Sequence, residues 1–135
     1  MHRNDLQVDL SVPQLQALVG EESVSRLVGA FGGAVRPTDS IRVRRVEATA
    51  GGREVIQFHT DHALAQTQTM HVPLNDEEEY GGGRLVFALP DGLRAPPRPA
   101  GSATVHDWTI PHGCTAMARG VRYGLFLLKA RESAL

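Results

Sequence analysis

From residue 41 onward the chain is written in short runs of β-forming residues, each closed by a turn signal. Ile41 to Val46 partly alternates apolar and charged residues. Further runs cover Arg53 to Asp61, Thr67 to Leu74, Arg84 to Leu89, Ser102 to Asp107, Cys114 to Met117 and Val121 to Lys129. Between them stand Gly51-Gly52, Asn75-Asp76, Gly81-Gly82-Gly83, Pro90-Asp91-Gly92 and Pro111. Residues 94–100, with three prolines, read as a loop crossing from one strand to another. Before this stretch the spacing predicts helix over residues 12–31. Ser11 is placed to cap it, Pro13 fits its first turn, Gly20 divides it and Gly32-Gly33 ends it. Leu15, Leu18 and Val19, then Val24, Leu27, Val28 and Phe31, recur at helical spacing and predict a packing face laid on a sheet. Short helices followed by many strands predict an α+β, mainly β fold: a double-sheet jelly roll over about 41–129 with the helices on one sheet.

A chain of 135 residues suits a single domain, and 41% hydrophobic residues suffice for a small core. The formal net charge of −1 gives no electrostatic case for nucleic acid or an anionic membrane. No apolar run is long enough for a transmembrane helix and no signal-like N-terminus is present. Cys114 is the only cysteine, which rules out an intrachain disulfide and makes a reducing, cytoplasmic setting the default expectation. The last six residues are expected to fray.

The chemistry-bearing residues are His59, Asp61, His112 and Arg122. On a strand, side chains alternate faces, so His59 and Asp61 point one way and Thr60 the other. With His112 they make two imidazoles and a carboxylate, the set that binds one face of a non-haem Fe(II) ion and leaves positions open. The same set also serves zinc.

The surrounding blocks sharpen this. Gly51-Gly52-Arg53-Glu54-Val55-Ile56-Gln57-Phe58 leads into His59, and Val72-Pro73-Leu74-Asn75-Asp76 precedes Gly81-Gly82-Gly83-Arg84-Leu85-Val86-Phe87. Gly101 to Asp107, Pro111-His112-Gly113 and Gly120-Val121-Arg122-Tyr123-Gly124-Leu125 follow. In this order, over residues 41–129, the blocks resemble the 2-oxoglutarate- and Fe(II)-dependent dioxygenases, in particular their prolyl 4-hydroxylase-like branch. The resemblance implies Fe(II) on His59, Asp61 and His112, with 2-oxoglutarate as cosubstrate, and allows ascorbate as an accessory. It implies hydroxylation of an unactivated C–H bond, in a prolyl or other protein side chain or in a small molecule, with release of succinate and CO2.

By the same resemblance Arg122, ten positions after His112, takes the basic position that binds the distal carboxylate of 2-oxoglutarate; a planar guanidinium can grip a carboxylate with two hydrogen bonds. Its apolar neighbours Val121, Tyr123, Leu125 and Phe126 predict a buried strand, and a buried arginine needs an anion. Many relatives carry a cosubstrate-binding tyrosine where this chain has Thr49 or Ala50, and Pro73. Thr69 and His71 share a strand face with Pro73 and are the candidates to compensate, although His71 reads equally well as a half-buried strand histidine.

Cys114 shares a strand face with His112 but reads first as a buried structural cysteine. Trp108 reads as core before it reads as a wall of the substrate mouth, His106 as a strand residue, His62 as strand end or loop. Gly81-Gly82-Gly83 is a turn and Glu77-Glu78-Glu79 a solvated hairpin tip. Competing readings are a non-catalytic or zinc-binding jelly-roll interaction module, or the excised catalytic domain of a larger protein whose partner domains are missing.

Overall fold

The computed structural model describes residues 5–48, 58–61 and 66–131. A first strand, β1 (Asp5–Leu10), precedes helices α1 (Val12–Val19) and α2 (Glu21–Phe31). The strands β2 (Ser40–Glu47), β3 (Gln66–Pro73), β4 (Tyr80–Gly82), β5 (Leu85–Leu89), β6 (Gly92–Arg94), β7 (Thr104–Asp107), β8 (His112–Cys114) and β9 (Met117–Ala130) follow. The larger sheet runs β1-β2-β9-β3-β7, with β4 pairing the start of β9, and the smaller runs β6-β5-β8. All the pairings are antiparallel. This is the predicted jelly-roll core with N-terminal helices packed on one sheet.

The helices form where the sequence places them. Ser11 accepts from the Gln14 backbone N–H at 3.2 Å and Gln14 returns a bond to the Ser11 N–H at 2.8 Å, a capping box that satisfies two orphan donors. Gly20 at φ +87° breaks the helical run. β1 lies outside the sequence expectation, because a six-residue strand beside a helix start has too few positions to show a period. The predicted strand Cys114–Met117 is also corrected. β8 starts earlier, at His112, and Met117 already belongs to β9, with Thr115 and Ala116 between them. Of the predicted strand over Arg53 to Asp61, residues 53–57 lie outside the described residues, and His59 forms an isolated bridge to His112.

β9 is the spine of the large sheet, and its alternation divides the molecule. Leu125 and Leu127 face outward with Ile41, Met70 and Val72, and Leu15, Val24 and Phe31 of the helices close over them. Arg122, Gly124, Phe126 and Leu128 alternate with these and face inward, toward the small sheet. The hydrophobic core thus lies outside the large sheet, and the inner face is free to carry charge and imidazole. Truncating a buried leucine loses its transfer free energy and leaves a cavity. Leu127→Ala (1% exposed) should therefore lower unfolding free energy by about 2–5 kcal/mol in denaturant titrations. Leu93→Ala, at a position 67% exposed, should change it by no more than about 0.5 kcal/mol.

Candidate metal and carboxylate site

Two ligand candidates are joined by backbone. The His59 N–H donates to the His112 carbonyl at 3.0 Å, and the His112 N–H returns to the His59 carbonyl at 2.9 Å. This reciprocal bridge sets the two rings 4.5 Å apart between centroids. Asp61, two residues on, brings its carboxylate to the same place, so one ligand atom from each of His59, Asp61 and His112 lies within 4.8 Å of the others.

Asp61 is held from the large sheet. Thr69 Oγ1 donates to its Oδ2 at 2.8 Å, and His106 Nε2 donates to the same oxygen at 3.0 Å. Thr69 and His106 are directly paired across β3 and β7, so the sheet register itself aims both donors. Burial pushes the carboxyl pKa up, but the bonds from His106 and Thr69 and the nearby His112 outweigh it, and the net shift is downward. Oδ1 is left to face His112 Nε2 at 3.4 Å.

That contact tests whether a cation fits. His112 Nδ1 lies 3.0 Å from the Ile110 carbonyl, which can only accept, so Nδ1 carries the proton and Nε2 presents a lone pair. Burial, which comes first, and the neighbouring imidazoles lower the His112 pKa despite the opposing Ile110 bond and the Asp61 charge. An imidazole lone pair facing a carboxylate oxygen is repulsive unless a proton or a cation lies between. With the proton disfavoured, the donor set fits a divalent ion of N/O preference.

The three residues open on a cleft of about 380 Å³ between the sheets, lined also by Thr69, His71, Leu85, His106, Cys114, Arg122 and Phe126. Arg122 is buried (6% exposed) and donates from Nη1 to the Gly83 carbonyl at 2.6 Å. Gly83 is at φ +61°, and a Cβ there would collide with Met117 Sδ and stand 3.2 Å from Arg122 Nη1, so the turn of three glycines also makes room for this arginine. His71 is buried and stacks on Phe126 with ring centroids 3.9 Å apart and 13° between planes.

The sequence candidates His59, Asp61, His112, Arg122, Thr69 and His71 therefore all line one cleft. Thr69 donates its hydroxyl to Asp61, so its place is beside the candidate ligand carboxylate. Cys114 corrects an expectation: it is exposed, at the cleft margin, at the end of the short strand β8. Trp108 is half-buried with Arg131 stacked over it at 5.9 Å, away from the residues that line the cleft. The acidic tip is a 3-10 turn rather than wholly solvated, with Glu77 paired to Arg84 at 2.5 Å. Thr49, Ala50 and His62 lie outside the described residues. Sequence reasoning missed the role of His106, whose alternation with Thr104 was its only signal. It also missed Arg98, which had none: its guanidinium reaches His71 from the proline-rich crossing segment.

No protein-family model matches the chain. A stretch of 64 residues is 38% identical to a PKHD-type hydroxylase of Shewanella frigidimarina (strain NCIMB 400), covering 47% of this chain and 28% of that protein. The match thus spans little more than a quarter of the relative's length. An oxidoreductase of the 2OG-Fe(II) oxygenase family from Burkholderia pseudomallei superposes with a TM-score of 0.67 at 13% identity, covering 96% of this chain and 70% of that one. A prolyl-4-hydroxylase from Pseudomonas putida superposes with a TM-score of 0.66 at 20% identity, covering 94% of this chain and 69% of that one. The chain shares their fold.

Two outcomes follow from the site. Thr69→Val removes a donor that orients Asp61 and should weaken Mn(II) binding, measured calorimetrically, by about 10- to 100-fold. His71 has its pKa pushed well below 6.5, first by burial and then by the charges of Arg98, Arg122 and Arg44. Below about pH 6.5 the unfolded chain binds a proton there that the folded chain refuses, so stability should fall as pH drops from that point. Unfolding followed from pH 8 to 5 should show this decline, reduced in His71→Gln.

Proposed function

We propose that the chain is the catalytic domain of a 2-oxoglutarate- and Fe(II)-dependent hydroxylase acting on a prolyl or other protein side chain. The observation that carries this reading is the sharing of one cleft by the His59, Asp61 and His112 cluster and a buried Arg122. A site built only to hold a hydrolytic zinc has no use for a buried guanidinium beside it. A 2-oxo acid needs both a metal for its oxo-acid end and a cation for its far carboxylate.

In this reading His59, Asp61 and His112 hold iron(II). When bound, iron with 2-oxoglutarate supplies the activation of O2 and the hydroxylation, with succinate and CO2 released. The chain's own residues do the rest. The Ile110 carbonyl fixes the His112 ring through Nδ1, Thr69 and His106 keep Asp61 ionised and aimed, and Arg122 orients the cosubstrate by its distal carboxylate. Phe87 stands 5.3 Å from the His106 ring and 6.1 Å from that of His112, an apolar wall that keeps water from this side of the cluster. The fold shared with a prolyl-4-hydroxylase supports a prolyl side chain as substrate, and the partial match to a PKHD-type hydroxylase supports hydroxylation as the reaction.

Anaerobic visible spectroscopy of protein with Fe(II), before and after 2-oxoglutarate, tests the reading. A weak charge-transfer band that needs both and disappears on exposure to O2 is expected. Its absence from folded, zinc-free protein would overturn the reading in favour of a non-catalytic jelly-roll module. Asp61→Ala should abolish hydroxylation, and Arg122→Ala should weaken 2-oxoglutarate binding by about 2–5 kcal/mol, roughly 30-fold or more.

A further inference from the structure

The two oxygens of the Asp61 carboxylate are not equivalent. Thr69 Oγ1 and His106 Nε2 both come to Oδ2, at 2.8 and 3.0 Å. Oδ1 instead faces His112 Nε2 at 3.4 Å. A carboxylate oxygen has two lone-pair sites, so the two donors fill Oδ2. Oδ1 is the oxygen left open toward the imidazole nitrogens.

Both donors are buried, and the pairing of Thr69 with His106 across β3 and β7 holds them side by side. An ionised carboxylate can only accept, so the proton of the shorter His106 contact sits on Nε2. His106 Nδ1 is buried and has no hydrogen-bond partner among the described residues. An unpaired buried polar atom costs stability, and a phenylalanine would fill similar space without it. The bond to Asp61 is what the imidazole adds. Its ring is held in turn between Phe87, edge-on at 5.3 Å and 63°, and His112, 4.2 Å away between centroids.

We propose that His106 is a positioning residue that, together with Thr69, saturates Oδ2 and so limits Asp61 to one-oxygen coordination of the metal. The inference takes from the reading above only that His59, Asp61 and His112 hold a divalent ion. An unrestrained carboxylate can close on a cation with both oxygens, as in many calcium sites. On a six-coordinate ion the second oxygen would take one of the positions that the three residues leave open. A 2-oxo acid binding through two oxygens would then complete the coordination, with no position remaining. His106 and Thr69 keep that last position free, and neither touches the ion.

The test counts the waters on bound Mn(II) by electron–nuclear double resonance in 17O-labelled water. Wild type should keep about three, the number that three single-atom ligands leave on a six-coordinate ion. His106→Phe combined with Thr69→Val should keep about two, because the freed Oδ2 closes on the ion. His106→Gln combined with Thr69→Ser retains both donors and should restore the wild-type count. A merely structural role for His106 and Thr69 would change affinity and leave the count alone. About two waters in wild type would overturn the proposal without any variant. So would an unchanged count in the folded Phe/Val protein, or a reduced one in the folded Gln/Ser protein. Failure of wild type to bind Mn(II) would overturn the metal reading and this inference with it. Mn(II) bound with about three waters, none of them displaced by 2-oxoglutarate, would overturn the cosubstrate reading and leave the role of His106 supported.

Discussion

The site depends on one pair of backbone hydrogen bonds. His59 and His112 are 53 positions apart, yet each donates its N–H to the other's carbonyl, so their side chains leave the backbone at matched height on one face. A side chain on a flexible stem loses rotamer freedom each time it is drawn to a ligand. Here the bridge bears that cost through the chain, and the rings start close together. Asp61, two residues beyond His59, is then fixed by Thr69 and His106, themselves neighbours across β3 and β7.

The large sheet keeps two kinds of matter apart. Its outer face is aliphatic and closed by α1 and α2; its inner face carries arginine, histidine and threonine. Either kind on the wrong side would be costly, because a buried charge without a partner loses several kcal/mol of solvation. The alternation of β9 enforces the separation: Leu125 and Leu127 on one side, Arg122, Gly124 and Phe126 on the other.

Much of this was legible before any coordinates. Ser11, Gly20 and Gly32-Gly33 announce the helices because caps and breakers act locally. The strand runs announce a jelly roll because turns punctuate them. His59 and Asp61 read as a pair because strand period is local too. What stayed hidden is what depends on the third dimension. Nothing in the sequence around Arg98 shows that a proline-rich crossing segment brings its guanidinium to His71. β1 is too short to declare itself, and its Asp5 and Asp9 show their purpose only once they lie diagonally and directly across from Arg44 and Arg42. Cys114 read as buried because free cysteines usually are; it stands exposed at the end of β8.

Cys114 has a practical side. It is the protein's one thiol, it is exposed, and it sits two residues from His112 on the margin of the cleft. Any thiol-directed dye, spin label or cross-linker will therefore attach at a single known address, with no engineering, at the edge of the place where ligands enter. The chain comes with its own reporter, and anything that fills the cleft announces itself there as a change in how fast the label goes on.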